Sequence, residues 1–229
     1  MIIPEYTIAD NHLSLERFKE MDYSAVQNYY IPIELMMENA GLQLARLVVH
    51  YIPSGSRVLF GIGPGNNGGG GLVAARRLAG WGLHVSLDIP GQKLNDLSRI
   101  QLQRALAVGV HQYPEDDLDI FIDAYLGISH RLPLSEVFQK AVEKADRLNC
   151  CKISLDIPTG FNQSTGETEF LPDIVLTLAA MKTELFRLST DINLYLADLG
   201  IPGSIYKNFG IEYPIAFRES GLLKCSYPN

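Results

Sequence analysis

The stretch Val58-Leu-Phe-Gly-Ile-Gly-Pro-Gly-Asn-Asn-Gly-Gly-Gly-Gly71 decides the fold. Val58 to Ile62 is a short, nearly continuous apolar run, the pattern of a strand covered on both faces. It feeds without a spacer into the glycine-rich segment Gly61 to Gly71, and Leu72 to Leu78 then reads as a helix. Glycines without Cβ allow close backbone approach and positive φ. A helix that follows such a loop offers free N–H groups and the positive end of its dipole to an anion. A strand, a glycine loop and a helix in that order open a βαβ unit with a phosphate-type site at its first turn.

Downstream, the same alternation continues. Leu83–Ile89 reads as a strand and Leu94–Val108 as a helix. Val110–Tyr113 reads as short β, Asp119–Ala124 as a strand, Leu134–Leu148 as a helix and Lys152–Ile157 as a strand. Ile174–Leu178 and Leu194–Asp198 complete the strands. Alternating strands and helices imply parallel strands with crossover helices on both faces. Upstream, Phe18, Met21, Ala25 and Val26 recur at helical spacing from Ser14, a side chain suited to an N-cap, to about Tyr30. Pro32 then breaks the chain. A second helix, Glu34 to about Tyr51, carries Leu35, Met36, Ala40, Leu44, Leu47 and Val48 on one face, and Gly41 within it hints at close packing. The expectation is an α/β fold: a three-layer Rossmann-like sandwich with a mostly parallel central sheet and two extra N-terminal helices. Residues 1–229 read as a single domain, without internal repeat or linker.

The bulk numbers exclude several classes. The 229 residues are 47% hydrophobic and 20% charged, ordinary for a globular protein that buries a sizeable core. The net charge is −7 and no run of lysine or arginine occurs, which argues against nucleic acid as a partner. No apolar run approaches the ~18 residues of a membrane span, and Met1 to Asp10 lacks the basic and apolar regions of a signal peptide. Cys150, Cys151 and Cys225 are odd in number and lack metal-type spacing, so reduced, buried thiols and a cytoplasmic location are expected.

In an open parallel sheet, ligands sit beyond the carboxyl ends of the strands. The segments found there are Gly61 to Gly71, Asp123-Ala-Tyr-Leu-Gly127, Asp156-Ile-Pro-Thr-Gly160 and Ala197-Asp-Leu-Gly-Ile-Pro202. Gly63-Pro-Gly-Asn-Asn-Gly68, with Asp88 at the end of the next strand, matches a dinucleotide fingerprint and would suit a nicotinamide-dependent dehydrogenase. Asn66-Asn67 and the four glycines after them lie outside that motif.

Those residues fit another pattern. Gly63-Pro-Gly-Asn-Asn-Gly-Gly69 followed by Gly71-Leu-Val-Ala-Ala-Arg76 closely resembles the signature loop of NAD(P)H-hydrate epimerases, the YjeF N-terminal domain family. In the right order, Leu35-Met-Met-Glu-Asn-Ala-Gly41 resembles its early helix and Asp123-Ala-Tyr-Leu-Gly127 its middle strand end. Leu155-Asp-Ile-Pro-Thr-Gly160 resembles its Asp-Ile-Pro-Ser-Gly segment, and Leu176 to Lys182 the strand and turn that follow. The resemblance implies an isomerase that interconverts the R and S epimers of hydrated NADH and NADPH, a nucleotide repair reaction. It also implies pairing with a separate NAD(P)H-hydrate dehydratase, a domain this chain is too short to include, and a homodimer is a further expectation.

The resemblance further implies a potassium ion held by Asn67, Asp123 and Thr159, where threonine replaces the family's serine and keeps its oxygen. It implies substrate contacts from Asn66, Asn67, Gly68, Gly69 and Gly70, from Gly127, Ile128, Ser129, His130, Arg131, Leu132 and Pro133, and from Asp156. A carboxylate, an amide oxygen and a hydroxyl suit a hard monovalent cation. Epimerisation at a carbon bearing a hydroxyl and a ring nitrogen needs proton transfer at the departing oxygen, and Asp156, between Leu155 and Ile157, is the catalytic acid/base by this reading. The sequence departs from the family at Gly70, where aspartate is usual, and after Gly127, where Ile-Ser-His-Arg-Leu-Pro replaces a glycine-containing stretch. The alternatives are a non-catalytic ligand-binding or scaffold module of the same fold and, third, the Rossmann-type dehydrogenase. Glu38 and Asn39 read equally as site rim or as loop anchors, and Asp198 as structural.

Overall fold

The computed structural model describes residues 1–9, 11–91, 93–112 and 117–226. In chain order the strands are β1 (Glu5–Thr7), β2 (His12–Leu13), β3 (Arg57–Ile62), β4 (His84–Asp88), β5 (Ile120–Ala124), β6 (Cys151–Leu155), β7 (Ile174–Leu178), β8 (Met181–Lys182), β9 (Asn193–Ala197) and β10 (Leu222–Ser226). The helices are α1 (Leu15–Tyr29), α2 (Ile33–Tyr51), α3 (Asn66–Gly80), α4 (Asp96–Leu106), α5 (Glu136–Asp146), α6 (Gly203–Asn208) and α7 (Phe217–Ser220), with a 3-10 turn at Thr183–Arg187.

Among the described residues, eight strands form one sheet in the order β1-β10-β9-β7-β6-β5-β3-β4, and only the β10–β9 pairing is antiparallel. The three-layer, mostly parallel arrangement expected from the alternation is therefore present. Strands from near both ends of the chain, β1 and β10, lie side by side in this sheet. The chain turns back at β3: β4 lies on one side of it and β5 on the other. A sheet of this kind opens a crevice at such a reversal. Register sets the floor of that crevice, with Gly61 opposite Asp123 and Asp123 opposite Ser154.

The main core lies between the sheet and α2 and α3, where Leu44, Leu47, Val48, Leu72, Ala75 and Leu78 meet Val58, Phe60, Ile62, Ile122 and Leu155. A second cluster packs α1 and α6 with Met36 and Ala40. Ser14 caps α1 through its hydroxyl, which accepts from Arg17 N, and Glu184 accepts from Leu15 N at 3.0 Å. Both acceptors satisfy donors that the first helical turn leaves open.

Three expectations need correction. α3 begins at Asn66, six residues before Leu72, so Gly68 to Gly71 are helical rather than loop. Helix propensity argues against four successive glycines in the first two turns, but close packing overrides it. A Cβ at Gly68 would strike the Gly63 carbonyl, one at Gly69 would meet Met37 Cε at 2.5 Å, and one at Gly71 would meet Ala124 Cβ at 2.6 Å. Most of these glycines serve contact between protein segments, not approach to a ligand. Second, the β segment placed at Val110–Tyr113 reduces to a single bridge between Ser86 and His111, and Tyr113 lies outside the described residues. Third, the three thiols are free but only partly buried. β1, β2, β8 and β10 were absent from the sequence reading; β1, β2 and β8 are only two or three residues long, too short to show a period.

Candidate active site

A cavity of about 440 Å³ opens where β3, β5 and β6 end. Its wall includes Pro64 to Asn67 and Gly70 after β3, Tyr125 to His130 after β5, and Leu155 and Asp156 after β6. Phe18 and Asp22 of α1, and Met36, Met37 and Ala40 of α2, close it from above. The two N-terminal helices are thus one side of the site.

The β3–α3 turn is held in place by its neighbours. Gly63 N donates to Ala124 O at 3.1 Å, and Asn95 N donates to Pro64 O at 2.9 Å. Ser98 Oγ donates to Gly65 O at 2.8 Å, and Asn95 Nδ2 donates to Asn66 Oδ1 at 2.9 Å. Gly65, the N-cap, offers no side chain, so the first turn of α3 faces the cavity with backbone N–H groups and the positive end of the helix dipole. Asp88, which a dinucleotide fingerprint assigns to a ribose, accepts instead from the buried Tyr125 hydroxyl at 2.5 Å. A Cβ at Gly61 would run into the Tyr125 ring, so that glycine makes room for this bond.

Asp156 sits immediately beyond β6 with φ +72°. That left-handed conformation is uncommon outside glycine, and strain of this kind concentrates at functional sites. Its N–H continues the sheet ladder to Leu176 O at 2.8 Å. Its carboxylate is turned to the cavity, with Oδ1 3.0 Å from Lys182 Nζ and Oδ2 3.4 Å from Ile128 N. Gly127 is needed beside it: a Cβ there would come within 3.3 Å of Asp156 Oδ2 and 3.2 Å of Asn67 Cβ.

Lys182 was missed by the sequence reading. It has no exposed surface, and its ammonium donates to Leu178 O at 2.6 Å and lies 3.7 Å from the centre of the Phe18 ring. Burial pushes this lysine down from its ordinary value, and the charge and hydrogen bond of Asp156 oppose that. Asp22 was missed too. Burial raises its carboxyl above the usual range, Asp156 adds to the rise, and Lys182 opposes it. In sequence, Lys182 closes an apolar run, and Asp22 stands four residues after Phe18 on the same helix face. Only the fold shows that these positions meet.

Asp123 lies behind the wall, fully buried. Its Oδ1 accepts from Thr159 Oγ1 at 2.6 Å and Tyr125 N at 3.2 Å, and its Oδ2 accepts from Thr159 N at 2.8 Å and Ser154 Oγ at 2.9 Å. Burial pushes this carboxyl up and the hydrogen bonds hold it down. Asn67 Nδ2 donates to Leu155 O at 3.2 Å.

The site residues expected from sequence therefore divide. Asn66, Asn67, Gly70, Gly127, Ile128, Ser129, His130 and Asp156 line one cavity. Gly68 and Gly69 pack inward within α3, while Arg131, Leu132 and Pro133 are exposed beyond the lining. His130 Nδ1 bonds to Gly127 O at 2.8 Å, which steadies the turn. Glu38 is a structural anchor, bound by Arg76 and Arg77 at 2.7 and 2.8 Å, and Asn39 donates to Leu199 O at 2.8 Å.

Fold and site together define an α/β protein of Rossmann-like type with a carboxylate-bearing cavity at the sheet's reversal. Residues 33–184 match the family model described as YjeF-related protein N-terminus, and the chain belongs to that family. It is 36% identical over 206 residues to an NAD(P)H-hydrate epimerase of Dehalogenimonas lykanthroporepellens, covering 85% of this chain and 84% of that one. It is 31% identical over 216 residues to an NAD(P)H-hydrate epimerase of Rhodopirellula baltica, covering 87% and 88%. A bifunctional NAD(P)H-hydrate repair enzyme of Thermofilum pendens is 31% identical over 224 residues, which span 92% of this chain but 42% of that protein. The crystal structure of yeast ynu0 shares the fold, with a TM-score of 0.84 over 93% of this chain and 99% of that one, at 22% identity.

Proposed function

We propose that this protein is an NAD(P)H-hydrate epimerase, an isomerase that interconverts the R and S epimers of hydrated NADH and NADPH. The observation that carries the reading is Asp156, a carboxylate in a left-handed turn at the cavity wall with a buried lysine at 3.0 Å. A group fixed in this way can exchange a proton with the hydroxyl on the hydrated ring carbon, the step the reaction needs. The N-terminus of α3 supports binding of the dinucleotide's phosphates, and the apolar wall of Met36, Met37 and Leu155 suits the ring.

The surroundings of Asp123 fit a monovalent cation. The group is a fully buried carboxylate that no lysine or arginine contacts among the described residues, and such a charge is costly without compensation. Its neighbours are oxygens of Thr159 and Ser154, the ligand type potassium prefers. In this reading Asn67, Asp123 and Thr159 hold potassium, and the bound ion supplies countercharge to Asp123 and a fixed point behind the substrate wall. The three free thiols suit a cytoplasmic location, and the reaction makes sense beside a dehydratase that consumes one epimer. No helix among the described residues is long and apolar enough to cross a membrane.

Purified protein is expected to bring the separated epimers of hydrated NADH to equilibrium faster than the uncatalysed reaction, and faster in potassium than in tetramethylammonium buffer. Asp123→Ala is expected to erase the difference between the two buffers. Hydride transfer to a carbonyl compound, or no acceleration in either buffer, would sink the reading.

A further inference from the structure

Epimerisation through loss and return of an oxygen involves both faces of the ring, and one fixed carboxylate serves one face. The cavity holds a second carboxyl group. Asp22 lines the wall formed by α1, whereas Asp156 lines the wall formed by the strand ends. α1 is fixed over the site at several points. β2 pairs with β8, placing Leu13 opposite Lys182. Glu184 binds the first backbone N–H of α1. The Lys182 ammonium rests on the ring of Phe18, one helical turn before Asp22. Asp22 makes no hydrogen bond or ion pair to another side chain among the described residues, so its oxygens remain available to a ligand, while Asp156 is held by Lys182.

From this arrangement we propose that Asp22 is a second proton-transfer residue of the cavity, serving the ring face opposite to the one served by Asp156. The proposal rests on the epimerase reading above. In one direction, a protonated carboxyl on the first face gives its proton to the substrate hydroxyl. The C–O bond breaks with its electron pair on oxygen, water departs, and the ring nitrogen's lone pair closes a C=N bond. Water then adds to the carbon from the other face, the C=N pair returns to nitrogen, and the carboxylate on that face takes the surplus proton. One water leaves and one enters, one carboxyl group loses a proton and the other gains one, and no redox partner is needed. The reverse direction exchanges the two roles. The surroundings of the two groups differ: Asp156 has the Lys182 ammonium 3.0 Å from its Oδ1, while Asp22 has no such contact among the described residues and burial raises its carboxyl. The charged group beside both carboxyls is Lys182, on which Glu184, from the turn after β8, also acts.

The test follows oxygen as well as configuration. Each epimer of hydrated NADH is incubated in ¹⁸O-water with wild-type, Asp22→Asn and Asp156→Asn protein, with NADP⁺ binding and melting temperature as checks that the variants fold. Both variants are expected to lose about 100-fold in inversion, the scale of one acid/base group. Each should still wash ¹⁸O into one epimer without inverting it, and the favoured epimer should differ between the two. Formate should restore part of the inversion to Asp22→Ala, which leaves space for it. Inversion at the wild-type rate in Asp22→Asn overturns the proposal, as does equal loss of inversion and wash-in for both epimers. A wild-type protein that neither inverts nor exchanges overturns the epimerase reading itself, which the variants then cannot rescue.

Discussion

At the scale of single residues, Gly70 is one of the two places, with the stretch after Gly127, where the chain departs from the pattern it otherwise follows. It is helical, with no positive φ, and it lines the cavity. A Cβ there would stand 3.3 Å from Leu155 Cδ2 and 3.8 Å from Ala40 Cβ, a fit that needs only a few tenths of an ångström from a leucine methyl. A carboxylate at 70 would stand at the cavity wall and would accept hydrogen bonds from substrate donors. Gly70→Asp is therefore expected to raise kcat/KM for epimerisation by about tenfold, or ~1.4 kcal/mol of transition-state binding. Steady-state kinetics decides it. A decrease in both kcat/KM and dinucleotide affinity would show that this wall has been reshaped around a different ligand.

At the scale of elements, the site depends on how closely α2, α3 and the sheet approach one another. Gly41 of α2 faces Val73 and Gly70 of α3, and a Cβ at 41 would lie 2.5 Å from Val73 Cβ and 2.8 Å from the Gly70 carbonyl. Neither neighbour can withdraw, since one is at a branched Cβ and the other is backbone. Gly41→Ala is expected to cost about 1–3 kcal/mol by overpacking and to lower activity, because α3 carries Asn66 and Asn67. Gly80, at the other end of the same helix, has nothing within 4 Å of a Cβ and an ordinary φ. Gly80→Ala is expected to gain up to about 0.5–1 kcal/mol and leave activity unchanged. Urea unfolding of the two variants measures both effects, and equal shifts would refute the packing argument.

At the scale of the whole molecule, stability depends on protons that folding retains. Burial pushes the Cys225 thiol up to about 12 and Cys151 up to about 11. An unfolded thiol titrates near ~8.5. For Cys225, between those values the folded chain keeps a proton that the unfolded chain releases, so the stability contributed by its neutral thiol is intact below pH ~8.5 and declines above it by up to ~1.4 kcal/mol per pH unit. Lys182, pushed the other way, acts with opposite sign at alkaline pH, so the comparison must isolate the thiol. The stability difference between wild type and Cys225→Ala is expected to stay constant from pH 6 to 8 and to shift against the wild type from pH 8.5 to 10. A difference that does not move with pH would mean that Cys225 is open to solvent.

The layered α/β architecture, the strand ends that carry function, and Asp156 at one of them were legible in the sequence. Hydrophobic period and glycine placement are local properties, and a parallel sheet sets its site at predictable chain positions. Asn66, Asn67 and the residues from Gly127 to His130 followed from the family resemblance, and they line one cavity. The tertiary structure decided the rest. It turned Gly68 to Gly71 from an open loop into the first turns of α3, because contacts with Gly63, Met37 and Ala124 outweigh helix propensity. It sent Asp88 to the Tyr125 hydroxyl instead of a ribose. It also brought together Lys182 and Asp22, which are 160 positions apart in the chain: Lys182 stands 3.0 Å from the Asp156 carboxylate, and Asp22 lines the wall that α1 adds to the same cavity. Neither stands in a local pattern that marks it. A buried charge is recognised by what compensates it, and here the compensating group lies in a distant segment that only folding brings near.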